Sequence, residues 1–135
     1  MTRGLRNRNP GNIRKSGTAY MGEVIPSQDA AFKQFETMAW GYRAVFVLLD
    51  SYRRRGYVTM RQMIARYAPP VENDTGNYIR CVSVWSGIDA DEPLDTNDRS
   101  TMLAVVAAIS RMENGCEAVM SDVEAGWALF MQHKP

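Results

Sequence analysis

Residues 98–115 read Asp-Arg-Ser-Thr-Met-Leu-Ala-Val-Val-Ala-Ala-Ile-Ser-Arg-Met-Glu-Asn-Gly, and this stretch decides the fold. A helix begins near Asp98. From Met102 to Ile109 it is apolar nearly all round, so it is expected at the centre of the molecule. Gly115 suits the left-handed turn that stops such a helix. The helix carries a carboxylate, Glu113, in its last turn. Partial burial and the negative end of the helix dipole both favour the protonated carboxyl there, as a general acid requires. On residue chemistry alone, a solvated glutamate near a helix end remains the other reading.

The segments around this helix are patterned to cover it. Thr37 is an N-cap for a helix in which Trp40, Ala44, Val45, Leu48, Leu49 and Tyr52 recur at helical spacing, stopped by Gly56 after Arg53, Arg54 and Arg55. Thr59 with Gln62 forms a capping-box pattern for a second helix ending before Pro69-Pro70. A third is expected from Thr75 to about Ser86, with Gly87 as its stop, and Ser121 with Glu124 marks the start of a last amphipathic helix carrying Trp127 and Phe130. Residues 1–17, rich in Arg, Asn, Gly and Pro, read as a turn-rich loop. Ala19–Ile25 and Ala30–Phe35 are β-prone and flank the turn signal Pro26-Ser27-Gln28-Asp29, so a small β-hairpin is predicted.

Composition narrows the function. With 135 residues the chain is expected to form one domain, residues 1–135. A net charge of +1 gives no overall pull toward polyanions, although Arg3, Arg6, Arg8, Arg14 and Lys15 crowd the first fifteen residues. That basic arm lacks the interleaved aromatics of a nucleic-acid module, so nucleic acid is not an expected partner. No stretch of about 18 apolar residues exists to span a bilayer. The N-terminus lacks the apolar core of a Sec signal. Cys81 and Cys116 have no metal-ligand spacing, and His133 is the only histidine, so neither a metal nor a cofactor is expected. A Ser-His-Asp or Cys-His mechanism would rest on that one histidine near the end of the chain, a poor position for a preorganised base.

Several motifs carry a family resemblance. Arg6-Asn7-Arg8-Asn9-Pro10-Gly11-Asn12-Ile13 resembles the "RNxNPGNI" opening of a phage and prophage family. Its members range from virion structural proteins to lysozyme-like and lytic transglycosylase-like domains. Phe32 to Thr37, Trp40 to Ala44, Tyr67 to Thr75 and Tyr78-Ile79 continue the pattern. A looser resemblance is to the flagellar-type glucosaminidases, whose core helix ends in a catalytic Glu and precedes segments similar to Asn9–Ile13 and Tyr67–Tyr78. Here the corresponding helix lies on the C-terminal side and ends in Glu113-Asn114-Gly115, which implies a circular permutation.

These resemblances imply a mainly α (α+β), lysozyme-like and circularly permuted fold with the hairpin beside a groove. The implied function is cleavage of peptidoglycan glycan strands by a lytic transglycosylase, muramidase or glucosaminidase, with Glu113 as general acid. Glu23 and Asp29, at the hairpin, are candidate assisting carboxylates. Asn9 and Asn12 are candidates for holding sugar acetamido groups, though asparagine beside Pro-Gly is also ordinary turn chemistry. Tyr67 and Tyr78 are candidates for stacking on sugar rings or bonding them through their hydroxyls, with core packing as the alternative. Glu72 is either a second carboxylate at the cleft or part of the start of the third helix. With no clearly paired carboxylate, the reading inclines toward the transglycosylase or muramidase side.

A virion structural or glycan-binding module on the same scaffold is the alternative from another class. The expected partners are peptidoglycan glycan strands and other virion proteins. The chain is expected to be a monomer made in the host cytoplasm, reaching the wall by virion delivery or through a holin-type hole.

Overall fold

The computed structural model describes residues 1–135 and is mainly helical. Its elements are α1 (Arg3–Arg6), α2 (Met38–Arg54), α3 (Met60–Tyr67), α4 (Thr75–Ser86), α5 (Arg99–Asn114) and α6 (Met120–Gln132). The buried hydrophobic residues form one cluster that draws on every helix from α2 to α6. No helix is long and apolar enough to cross a membrane.

Local chemistry sets most helix boundaries. The Thr37 hydroxyl accepts the Trp40 N–H at the start of α2. Thr59 and Gln62 form both halves of a capping box at α3. The Asp98 carboxylate accepts from Thr101 at α5. Gly87 and Gly115, at φ 73° and 71°, take the left-handed turn that ends α4 and α5. Helix α4 spans Thr75–Ser86 as expected, and only the start of α6 differs. Helix α4 is capped by Asp74, which accepts from Asn77, while Thr75 turns its hydroxyl to the Ala68 carbonyl. Helix α6 begins at Met120 with Val119 as an N-cap that has no side-chain bond, so Ser121 lies inside the first turn.

Two buried helices share the centre. Helix α5 buries Met102, Leu103, Val105, Val106, Ala108 and Ile109, yet Ala104, Ala107 and Arg111 are only half-buried along one stripe. Helix α2 buries every residue from Gly41 to Val47 and packs along α6, so the expectation of a single central helix is corrected. At their crossing Phe46 meets the edge of Trp127 at 5.1 Å and stacks on Phe130 at 6.0 Å. Side chains of this size each contribute about 1.5–3 kcal/mol when buried. Gly126 of α6 lies where an added Cβ would run 2.5 Å from the Cβ of Tyr42, so a residue without a side chain lets α6 approach α2.

The N-terminal region departs most from expectation. Residues 3–6 form a single helical turn, capped by the Thr2 hydroxyl, rather than an open loop. The predicted hairpin is absent as a regular element. Residues 13–15 pair with 31–33, and residues 22–24 pair with 34–36, each through one isolated antiparallel bridge. Side chains claim the backbone donors that a longer ladder would use. Ser27 Oγ accepts from the Asp29 amide, and Asp29 Oδ1 accepts from Ala31 and Phe32. Such local side-chain bonds compete directly with strand pairing.

Candidate active site

The C-terminal end of α5 is tied to the N-terminal loop. Asn114 is buried and donates to the carbonyls of Pro10 and Ser110 while accepting from the Thr2 hydroxyl. One residue earlier, Glu113 points its carboxylate between two other parts of the chain. Asn12 Nδ2 donates to its Oε1 at 2.9 Å, and the Tyr78 hydroxyl donates to its Oε2 at 2.7 Å. The carboxylate is therefore gripped on one side by the loop after α1 and on the other by α4.

Asn12 reaches this position because its backbone adopts φ 49°, a left-handed conformation that asparagine tolerates better than most residues. The preceding loop is fixed from within. Asn9, fully buried, donates to the carbonyls of Ile13 and Lys33 and accepts the Ile13 amide. Gly11 presents its carbonyl to the Tyr67 hydroxyl, and a Cβ at Gly11 would strike that same hydroxyl. Burial first, then the charge of Glu113, pushes the Tyr67 hydroxyl well above the usual phenol range. Burial likewise raises Tyr78, followed by the influence of Tyr67 and Glu113. Both phenols therefore stay protonated and able to donate through neutral pH.

Glu113 lines a small polar cleft of about 170 Å³ together with Asn12, Arg14, Phe32, Tyr67 and Glu72. Glu72, in the turn before α4, pairs with Arg14 Nη2 at 3.1 Å; both side chains are more than half exposed. The Arg14 guanidinium also lies over the Phe32 ring, 4.9 Å from its centre. Of the candidate residues, Asn12, Tyr67 and Glu72 thus line the Glu113 cleft, and Tyr78 bonds Glu113 itself. Arg14 and Phe32 were missed as cleft residues. The sequence offered only a basic arm and a β-prone segment at those positions.

Three candidates lie elsewhere. Asn9 has every side-chain atom committed to the loop backbone, so it is not placed to hold a sugar. Glu23 accepts from buried Lys33 through both oxygens at 3.1 Å and from the Tyr20 amide, outside the Glu113 cleft. Asp29 binds Arg3 in a two-pronged pair at 2.6 and 2.7 Å, with Asn7 and two backbone amides completing its shell. The Arg3 partner and those donors hold its carboxyl below the usual aspartate range. Both carboxylates anchor the N-terminal region and do not face Glu113. The lone histidine, His133, packs against Trp40, and Cys81 and Cys116 are free thiols. No group of three or more His, Cys, Asp or Glu side chains is arranged to hold a metal.

No family model matches the sequence. The chain is 41% identical over 117 residues to Protein P5 of Pseudoalteromonas phage PM2, covering 84% of this chain and 71% of P5.

Proposed function

The chain belongs to the family of Protein P5 of phage PM2, and from that premise we propose that it is a lysozyme-like enzyme cleaving peptidoglycan glycan strands with Glu113 as general acid. The kinship brings a phage connection and no activity, so the reading rests on the site. The observation that carries it is a carboxylate in the last turn of a central helix, held by Asn12 and Tyr78 at the wall of a polar cleft. A tyrosine hydroxyl can donate to a carboxylate or accept from a carboxyl, so its contact with Glu113 survives both halves of an acid-base cycle.

In this reading Glu113 protonates the leaving glycosidic oxygen as oxocarbenium character develops on the sugar. Glu72 is the other carboxylate lining the cleft. A second carboxylate in the cleft favours hydrolysis over the alternative in which Glu113 itself turns the muramic acid C6 hydroxyl on the sugar to give an anhydro product. The stitching of Thr2, Pro10 and Asn12 onto the end of α5 supports a permuted lysozyme-like core, in which the glutamate-bearing helix has moved behind the segments it normally precedes.

One observation favours a second reading, a non-catalytic virion structural or glycan-binding module. The Glu113 cleft, about 170 Å³, falls below the roughly 300–1,000 Å³ usual for ligand sites. A glycan would enter by parting the exposed Arg14–Glu72 pair, a contact worth about 0–1 kcal/mol.

Mass spectrometry of purified peptidoglycan, after incubation with wild type and with Glu113→Gln, separates the two. The glutamine amide keeps an oxygen for Asn12 and offers an N–H to Tyr78, so the fold should persist. New glycan ends from wild type alone support the enzyme, with reducing ends indicating hydrolysis and anhydro ends transglycosylation. Intact glycan in both reactions, on walls from several hosts, leaves the structural module.

A further inference from the structure

A second cleft, of about 490 Å³, shares no lining residue with the first and has an unusual charge in its wall. Arg43 of α2 is only 4% exposed, yet no carboxylate pairs with it. Its Nη2 donates to the His133 carbonyl, and its Nε is buried without any partner. Tyr20, His133, Lys134 and Pro135 line the same cleft, and no acidic side chain does; the Lys134 ammonium itself donates to Asn97 Oδ1. Glu23 accepts the Tyr20 amide but is committed to Lys33.

The contrast with Lys33 is informative. That cation is 1% exposed and is fully compensated by both oxygens of Glu23 and by the Thr18 carbonyl. Buried charges are ordinarily paired in this way, because desolvating an unpaired ion is strongly unfavourable. Arg43 breaks the pattern at a place where the solvent-facing wall is a cleft. Burial accordingly lowers the proton affinity of its guanidinium.

We propose that this cleft is an anion-binding site in which Arg43 receives a carboxylate or phosphate group, assisted by Tyr20. A guanidinium presents paired N–H donors that match either oxyanion, and the unpartnered Nε is one of them. The volume lies within the range of ordinary ligand sites, so the anion belongs to a larger molecule, such as a peptide ending in a carboxylate or a phosphate ester. The site is independent of Glu113 and stands whether or not that residue is catalytic.

The test uses the full chain, labelled with nitrogen-15, titrated with sodium phosphate and separately with sodium acetate at an ionic strength held constant with chloride. The expected result is a saturable displacement of the Arg43 Nε–H signal together with a rise in the melting temperature. Saturation by phosphate alone assigns a phosphate-bearing ligand, by acetate alone a carboxylate-bearing one, and by both the shared chemistry. Arg43→Met should abolish the anion-dependent rise and, in chloride alone, melt no lower than wild type. An Nε–H signal unmoved by either anion at tens of millimolar overturns the proposal, and that readout needs no variant to fold.

Discussion

Asn12 and Glu113 are 101 positions apart, and the side-chain amide of the first donates to the carboxylate of the second at 2.9 Å. The contact exists because Asn12 holds a left-handed backbone at φ 49°. Asn12→Gly removes the amide but keeps that backbone accessible, whereas Asn12→Ala removes the amide and adds strain. Alanine in this conformation costs about 1–2 kcal/mol. Urea unfolding should therefore place Asn12→Ala below Asn12→Gly by about that amount. If Glu113 is the general acid of a glycan-cleaving enzyme, both variants should lose that activity, by up to about 100-fold for a carboxylate shifted by an ångström. Equal stabilities for the two would show that the loop does not enforce the strained conformation.

The buried phenols make an alkaline prediction. Tyr67 and Tyr78 have hydroxyls raised above the ordinary value of 10.0, chiefly by burial. The folded state therefore binds more protons than the unfolded chain once pH exceeds that value. Stability is fully present below about pH 10 and falls as pH rises further. Ultraviolet difference titration should show these two tyrosines ionising only together with unfolding. In Tyr78→Phe the alkaline loss should shrink. Smooth ionisation of every tyrosine in a protein that keeps its near-ultraviolet circular dichroism would contradict the burial of this pair.

Asp29 predicts the opposite limb. Its folded carboxyl is held below the ordinary 3.8 by Arg3, by the amides of Ala31 and Phe32, and by Asn7. Its stabilising contribution is thus present above that value and is lost as pH falls below it toward the lower folded value. Asp29→Asn should lower the melting temperature at pH 7 and flatten the acid limb, because the variant has no carboxyl left to protonate there. Since Asp29 also organises the backbone from Ser27 to Phe32, proteolysis within residues 20–36 should accelerate in the variant. An acid limb unchanged by the substitution would locate the acid sensitivity elsewhere.

What was legible in the sequence was local. Thr37, Thr59, Asp98, Gly87 and Gly115 mark helix ends by interactions within a few residues, and those signals do not depend on the rest of the fold. The mainly helical character followed from them and from the period of the apolar residues. That Asn12, Tyr67, Glu72 and Tyr78 were candidates beside Glu113 rested instead on a resemblance to other sequences, because each meets Glu113 or its cleft across tens of residues. Glu23 and Asp29 were misplaced for a physical reason. A carboxylate beside a turn looks the same in sequence whether it faces a cleft or a cation, and Lys33 and Arg3 reach them only once the loop has folded. Helix α6 lacks a side-chain cap at Val119, so local chemistry pointed instead to Ser121.

If the chain cleaves glycan as proposed, Glu72 separates a paired-carboxylate mechanism from a single-carboxylate one. Its partner Arg14 is half exposed, so breaking the pair in Glu72→Gln should change stability by no more than about 1 kcal/mol. Any larger change in activity then reports on chemistry at the cleft. If Glu72 activates water, wild type should release reducing-end products, and Glu72→Gln should lose turnover by about 100-fold or more with KM little changed. If anhydro ends appear in wild type and persist at full rate in Glu72→Gln, Glu113 performs both proton transfers and Glu72 only closes the cleft with Arg14. In that case Arg14→Met should speed glycan access and lower KM. The product ends and the KM-against-kcat split together decide which carboxylate completes the reaction.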